Sequence, residues 1–213
     1  MTLQAIFEEA QIPLEIELLP IKRSLLNASS GITDGDAARI LGVNEYFPSL
    51  YAVKPAIYEM NVIALSYKQF IPKDFSDLEK YNVGLVRGMK VLEVTMDKLH
   101  CKSLIKVDSH EQLIALLAKN RIDIALVDKE ASFLLLNYYH KKGIFFRETT
   151  LMIESTYLHL HRKNISLIPK LNKAIHDLKK RGVLAEIKKE FYKELENRDI
   201  SLDKLREEKL WLK

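Results

Sequence analysis

The chain has 213 residues and a formal net charge of +4, with 47% hydrophobic and 29% charged residues. This composition is typical of globular domains, and it excludes both an intrinsically disordered chain and one embedded in a bilayer. The 33 cations and 29 anions are interspersed along the chain, which argues against a nucleic-acid-binding groove.

The N-terminal segment lacks the basic stretch of a secretory signal, because its first ten residues include two acids and no lysine or arginine. Judged on this segment alone, the chain would stay in the cytoplasm. Residues 12–18 then alternate apolar and acidic side chains, and this period of two predicts a half-buried strand. Pro20 suits the first turn of a helix over residues 21–28, which small residues and Gly31 end.

A similar order of elements returns 89 positions later. Residues 104–107 are predicted to form a strand, and Asp108 or Ser109 can cap a helix that runs to residue 119. A strongly apolar strand over residues 122–127 then ends at Asp128. Strand–helix–strand units also recur by chance, but the matched positions favour two lobes of like design. These positions are Ile16 with Ile105, Leu18 with Val107, Leu25 with Ile114, and Asp34 with Asp123.

The rest of the chain continues the pattern of an α/β protein. Residues 83–86 are predicted to form an apolar strand, and Arg87 and Gly88 lead into a helix that begins near Met89. Exposed N–H groups at such a helix start would suit an anion. Strands are also predicted over residues 50–53, 62–67, 144–146 and 156–160. The other predicted helices cover residues 129–141, residues 168–191 in two parts divided by Gly182, and residues 201–213, where the pattern is amphipathic.

Four stretches resemble, in the right order, the extracellular solute-binding protein family 3, the amino-acid-type periplasmic binding proteins of ABC transporters. The resemblance covers roughly residues 3–193 and implies an α/β fold of the type II periplasmic-binding-protein kind. Two α/β lobes would be joined by two hinge crossings, and the ligand would bind between the two lobes. The four stretches are residues 32–39 (ITDGDAAR), 83–88 (VGLVRG), 121–128 (RIDIALVD) and 181–187 (RGVLAEI).

The resemblance also implies a division of the chain. Lobe 1 would comprise residues 1–70 and 150–195 and would lack its first strand, while lobe 2 would comprise residues 80–147. Residues 196–213 would form a C-terminal helical extension.

The function that the resemblance implies is binding without chemistry. The ligand would be a small polar metabolite, an amino acid or a related carboxylate or amine, taken up for ABC transport or for sensing. Membrane subunits of an ABC transporter would be the partners, and the expected location is the periplasm, although the N-terminal segment does not have the pattern of a signal peptide. We expect a monomer without cofactor, metal, nucleic-acid partner or inserted membrane segment.

The resemblance carries candidate ligand-binding residues onto this sequence. Arg39 is the nearest, though shifted, match to a lobe-one arginine that grips the ligand carboxylate with its planar fork of donors. The helix start at Arg87, Gly88 and Met89 would add backbone donors, although threonine is frequent in the family where this chain has Met89. Asp128, at the end of its strand, would take the ligand ammonium. The further candidates near the cleft are Arg23, Tyr58, Glu59 and Tyr67.

Four of these residues also have a purely structural interpretation. Arg39 could instead pair with Asp34 or Asp36, and Asp128 could cap the helix that follows it. Arg87 could simply lie exposed beside Gly88, and Arg23 could lie on the surface of its helix.

The sequence also offers little support for a metal site. His159 and His161 alternate on a predicted strand and would face the same way, but no third ligand for zinc is evident. The single cysteine, Cys101, permits no internal disulfide and lacks the spacing of a zinc site.

Two other functions are compatible with the same fold. An enzyme that acts on a cyclic carboxylate, as dehydratases of this fold do, would use Asp128 or Glu59, but no nucleophile–base pair is visible in the sequence. A sensory domain of a larger signalling system would keep ligand binding and serve no transporter.

Overall fold

The protein was analysed as a computed structural model that describes residues 1–67 and 71–197. The chain divides into two compact units. Among the described residues, unit 1 contains Met1–Glu17, Ser24–Glu59 and residues 155–197, and unit 2 contains Leu18–Arg23 and Met60–Glu154. From residue 198 onward, the predicted C-terminal extension lies outside the described residues, as does the whole of the helix predicted over 201–213.

Helices and strands alternate along most of the chain. The helices are α1 (Thr2–Glu9), α2 (Ile21–Ser30), α3 (Val43–Tyr46), α4 (Lys90–Asp97), α5 (His110–Ala118), α6 (Lys129–Lys141), α7 (Ile168–Lys180) and α8 (Val183–Asn197). The strands are β1 (Gly35–Arg39), β2 (Leu50–Ala52), β3 (Tyr58–Ser66), β4 (Asn82–Val86), β5 (Ser103–Val107), β6 (Ile124–Asp128) and β7 (Arg147–His161). The chain passes from one unit to the other after Glu17, within α2 after Arg23, within β3 and within β7.

In unit 1 the end of β7 lies between two antiparallel neighbours. Asp36 of β1 stands opposite His159, and Leu50 of β2 stands opposite His161. The register between β1 and β7 shifts after Asp36, and Ala38 has a φ of 66°, which is a left-handed conformation. This bulge lies immediately before Arg39 and so helps to set its position.

The core of unit 1 joins α1 to α7. Apolar residues recur along α7 at spacings of three and four, as the sequence predicts, and this face packs against Ile6 and Phe7 of α1 and against Ala10, which follows that helix. Gly182, which separates α7 from α8, has a φ of 75°, the conformation in which glycine commonly ends a helix. The buried residues of α7 are Leu171, Ala174, Ile175 and Leu178.

Unit 2 is built on a sheet in which the strands follow the order β3, β6, β4, β5. The pairs β6–β4 and β4–β5 are parallel, while β3 is antiparallel to β6. Every residue of β6 is buried, which explains the continuous apolar run seen in the sequence. Among the described residues, no helix combines the length and the apolar character needed to cross a bilayer.

Residues 144–146, predicted to form a strand, are irregular and precede β7. The strand predicted over residues 12–18 is also absent. The segment is irregular, and Leu14 and Ile16 are 37% and 49% exposed. Alternation of side chains is a local property, whereas a strand exists only where a neighbouring strand accepts its hydrogen bonds. The proposed repeat therefore fails at its first element, although its second copy is present as β5, α5 and β6.

Candidate functional site

A cluster of polar side chains lies in unit 1 where β1 meets β7. Asp36 is only 6% exposed, and its carboxylate is shared between two donors. Ser24 Oγ of α2 donates to Asp36 Oδ1 at 2.9 Å, and Arg39 Nε donates to Asp36 Oδ2 at 2.7 Å. Arg39 thus has the acidic neighbour that its structural interpretation anticipates, in a pair that is largely removed from water.

His159 adjoins this cluster and is fully buried. Its Nδ1 lies 3.2 Å from the Tyr157 carbonyl oxygen, while its Nε2 has no hydrogen-bond partner among the described residues. Burial is the main cause that lowers the pKa of His159, and the Tyr157 carbonyl and Asp36 act in the opposite sense. The imidazole is therefore held neutral, next to an ion pair.

His161, two residues further along β7, has a different environment. Its Nδ1 accepts a hydrogen bond from the Lys163 N–H at 3.3 Å, and its ring lies 3.0 Å from the position of a Cβ built on Gly31. Within residues 1–67 and 71–197, no three histidine, cysteine, aspartate or glutamate side chains are arranged to hold a metal ion.

In unit 2 the predicted anion site at the start of α4 falls on residues 87–90. Each of the four backbone N–H groups in this stretch donates to an acceptor of the chain itself. The pairs are Arg87 with Val107 O at 2.8 Å, Gly88 with Glu93 Oε1 at 2.9 Å, Met89 with Val86 O at 3.5 Å, and Lys90 with Gly88 O at 3.0 Å.

Gly88 is required at this position by its surroundings. Its φ of 92° is one that side chains rarely adopt, and a Cβ there would lie 2.7 Å from the Lys22 backbone nitrogen. The start of α4 therefore packs directly against the first turn of α2. Met89, the residue that precedes α4, is 7% exposed.

The Arg87 side chain turns towards the end of β5. Its Nη1 lies 2.8 Å from Asp108 Oδ1, with the two side chains 42% and 72% exposed. Surface pairs of this kind contribute little to stability.

Asp128 is buried at the end of β6 and caps α6. Its Oδ1 accepts from the N–H groups of Glu130 and Ala131 at 2.9 and 3.1 Å. The structural interpretation of Asp128 as a helix cap is thus realised. A cap of this kind typically contributes about 1 kcal/mol.

The remaining candidates lie apart from these groups. Arg23 and Glu59 are exposed, and Tyr67 is 44% exposed with its ring 6.0 Å from that of Phe146. Tyr58 lies beneath Lys188, whose Nζ is 5.9 Å from the ring centroid.

A depression on unit 1 involves none of the predicted ligand-binding residues. It has a volume of about 560 Å³ and opens widely to solvent. Its lining residues are Lys54, Pro55, Ala56, Tyr157, Asn172, Lys173 and His176.

Sequence reasoning missed two residues of unit 2. Glu93 binds the start of α4, and an acid in the first turn of a helix is a recognisable capping signal. His110, at the start of α5, is 5% exposed, and burial lowers its pKa from 6.5 to about 4. Nothing in the sequence around His110 distinguishes it from an exposed histidine.

Comparison with known proteins places the fold. No protein-family model and no curated protein sequence matches the chain. Solved structures do match it. An amino acid ABC transporter substrate-binding protein of Streptococcus pneumoniae, bound to L-arginine, is 17% identical with a TM-score of 0.75, over 92% of this chain and 84% of that chain.

Two further structures match at similar levels. The arginine-, lysine-, histidine-binding protein of Geobacillus stearothermophilus is 17% identical with a TM-score of 0.71, over 96% of this chain and 87% of that chain. A histidine kinase sensor domain with similarity to periplasmic binding proteins is 15% identical with a TM-score of 0.75, over 89% and 82%. The chain has the α/β fold of type II periplasmic binding proteins, which confirms the fold predicted from the sequence.

Proposed function

We propose that this chain is a binding protein that captures a small polar metabolite, an amino acid or a related carboxylate or amine, for ABC transport in the periplasm or for sensing. The observation that carries the proposal is the fold, which extends over 92% of this chain in the match to a substrate-binding protein that holds L-arginine. The matched proteins are binding proteins and a sensor domain, which supports binding without chemistry.

Arg39 is the residue of unit 1 that we propose as a ligand contact. Asp36 binds its Nε, and Ser24 holds the other oxygen of the same carboxylate. A guanidinium anchored through Nε has a fixed plane, and a fixed plane favours two parallel hydrogen bonds to a planar acceptor group. Met89, Asp128, Tyr67, Glu59, Arg23, Arg87 and Gly88 remain candidates for the same ligand.

A thermal-shift screen of the full chain tests the proposal. The panel contains basic, acidic and neutral amino acids, their decarboxylated amines and small carboxylates. A ligand at a hundredfold excess over its Kd should raise the free energy of unfolding by about 2.7 kcal/mol. For a chain of this length the midpoint would then rise by roughly 5–10 °C. If no compound of these three classes raises the midpoint, the proposed function is wrong.

Replacing Arg39 with lysine should weaken binding of the ligand found in that screen by about tenfold. Lysine keeps a positive charge beside Asp36 but lacks the planar guanidinium, so ligand affinity should fall more than folding stability does. Isothermal titration calorimetry measures the affinity. Arg162→Lys, at an exposed position of the same unit, is the matched control and should bind like the wild type. An R39K affinity equal to that of the control would remove Arg39 from the site.

A sensory role is a second candidate, favoured by the match to a histidine kinase sensor domain. Uptake of the radiolabelled ligand by cells that lack this gene separates the two roles. A transport protein predicts reduced uptake, and a sensor predicts normal uptake with loss of the transcriptional response to the ligand.

A further inference from the structure

A cluster of partly exposed aromatic rings lies in unit 2, where the ends of β3 and α6 meet the start of β7. The Phe146 ring contacts those of Tyr67 and Tyr139, with centroids 6.0 and 5.7 Å apart. Tyr138 extends the cluster from Tyr139 at 5.4 Å. Phe145 is 61% exposed and Tyr67 is 44% exposed. Single exposed apolar side chains are ordinary on protein surfaces, whereas several in contact mark an interaction surface.

The same stretch of chain is rich in cations. Residues 138–147 read YYHKKGIFFR and contain two lysines, an arginine and a histidine but no acid. All four of these basic side chains are exposed. Lys142 Nζ lies 5.9 Å from the Tyr138 ring centroid, and the His140 ring lies 4.3 Å from that of Phe145. The cations and the rings therefore share one surface.

Two acids adjoin this stretch without cancelling its charge. Glu148, the residue that follows it, pairs with Lys129. Glu111 of α5, whose charge reaches Tyr139, is partly buried and offsets only one of the cations. The dipole of α6 accounts for basic residues in its last turn, but it accounts neither for Arg147 nor for the exposed rings. The stretch thus presents a net positive charge together with apolar rings.

This aromatic–basic patch, made of Tyr67 and residues 138–147, matches a bilayer surface that contains anionic lipids. Aromatic side chains favour the boundary between headgroups and acyl chains, and anionic headgroups attract lysine and arginine. A second copy of the chain would bring like charges together at this surface. A nucleic-acid base stacks on an open ring face, whereas these rings meet one another at interplanar angles of 63°, 69° and 84°.

We propose that the aromatic–basic patch docks unit 2 onto a membrane surface that contains anionic lipid. Phe145 enters the headgroup region, and the cations lie against the lipid phosphates. The docking is peripheral and needs no membrane-spanning helix, and none is found among the described residues. It goes beyond the proposed function, because capture of a small ligand requires no lipid.

Sedimentation of the full chain with lipid vesicles tests this docking. The protein should partition onto vesicles of phosphatidylcholine and phosphatidylglycerol in a two-to-one ratio at least tenfold more strongly than onto pure phosphatidylcholine. Raising the ionic strength to about 1 M, where the Debye length is about 3 Å, should remove most of this difference. A protein that shows no preference for the anionic vesicles would overturn the proposal.

Paired charge variants locate the contact. Lys141→Gln combined with Lys142→Gln should lower partition onto the anionic vesicles by roughly twentyfold, since each cation at such a surface contributes about fivefold. Lys179→Gln combined with Lys180→Gln is the matched control, because it removes the same charge from the last turn of α7. The control should bind within twofold of the wild type. Equal losses in the two double variants would reduce the effect to net charge and refute the patch.

Phe145 decides whether the rings enter the lipid. Phe145→Ala should weaken partition by about tenfold. Ile32→Ala, at a position of unit 1 that is 73% exposed, is the control and should leave partition unchanged. Phe145→Trp in a Trp211→Phe background carries a single indole, since Trp211 is the only tryptophan of the sequence. Phospholipids brominated along their acyl chains should quench this indole, and unquenched fluorescence on bound vesicles would contradict the proposal.

Two measurements without vesicles address the other occupants. Light scattering detects a dimer of the wild type, and fluorescence polarisation detects binding of a labelled single-stranded RNA. We expect neither. A dimer that F145A dissociates would assign the patch to a second copy of the chain, and RNA binding that F145A abolishes would assign it to a nucleic acid. Either result would overturn the assignment to a lipid surface.

Discussion

Gly88→Ala should lower the free energy of unfolding by about 3 kcal/mol. For alanine, a φ of 92° costs about 1–2 kcal/mol of conformational energy. In addition, the alanine Cβ would lie 2.7 Å from the Lys22 backbone nitrogen and 2.9 Å from Lys22 Cα. Overpacking against backbone adds about 1–3 kcal/mol, because neither chain segment can move without disturbing the start of α4 or of α2. Urea denaturation followed by circular dichroism measures the loss.

Gly143→Ala separates the cost of the backbone conformation from the cost of overpacking. Gly143 follows α6 in the same unit and has a φ of 76°, but no atom lies within 4 Å of the added Cβ. This variant should therefore lose only the conformational part, about 1–2 kcal/mol. Equal losses in the two variants would show that the start of α4 does not pack against α2 as described.

As the pH falls from 6.5 towards 4, protonation of His110 should lower the free energy of unfolding by about 3 kcal/mol. Burial lowers its pKa from 6.5 to about 4, so the folded protein binds this proton less readily than the unfolded chain does. The stabilisation is complete above pH 6.5 and is lost as the pH falls towards 4. At about 1.4 kcal/mol for each unit of pKa, the loss over this window is about 3 kcal/mol. Denaturant unfolding at a series of pH values measures it.

His110→Leu should flatten the stability profile over that window, because leucine occupies a similar volume and binds no proton. His159 in unit 1 contributes in the same direction, since its pKa is also lowered by burial. His140→Leu, at an exposed position of α6, is the control and should keep the profile of the wild type. A profile for H110L that is as steep as that of the control would contradict a buried, neutral His110.

The elements that the sequence predicted well are those whose pattern reflects burial along one element. The apolar run before Asp128 became β6, and the apolar face from Ile168 onward became α7. The motif at residues 83–88 became β4 and the turn into α4. These patterns were sufficient because side-chain burial repeats with the period of the element itself.

The strand expected over residues 12–18 shows where local pattern fails. The alternation of apolar and acidic residues is real, but strand formation depends on a partner strand, and a window of seven residues contains no information about partners. For the same reason, the first copy of the suggested repeat lacks its first strand.

The candidate site was predicted in part. Sequence reasoning left Arg39 and Asp128 as either ligand contacts or groups with an internal partner, and left Arg87 as either a ligand contact or an exposed side chain. The structure gave each an internal partner, and Asp36 and Asp108 are the acids on the two arginines. It also brought Glu93 to the N–H of Gly88, a contact that sequence reasoning had missed.

The sequence by itself determined the order of most elements, the fold they belong to and the residue types at the ends of the unit 2 strands. Only the tertiary structure decided which charges meet and which histidines lose contact with water. Periodicity and turn chemistry act between neighbours in sequence, so they can be read directly. The burial of His159 beside the Asp36–Arg39 pair, and the burial of His110, depend on segments that folding brings together from distant parts of the chain, and burial lowers the pKa of both histidines.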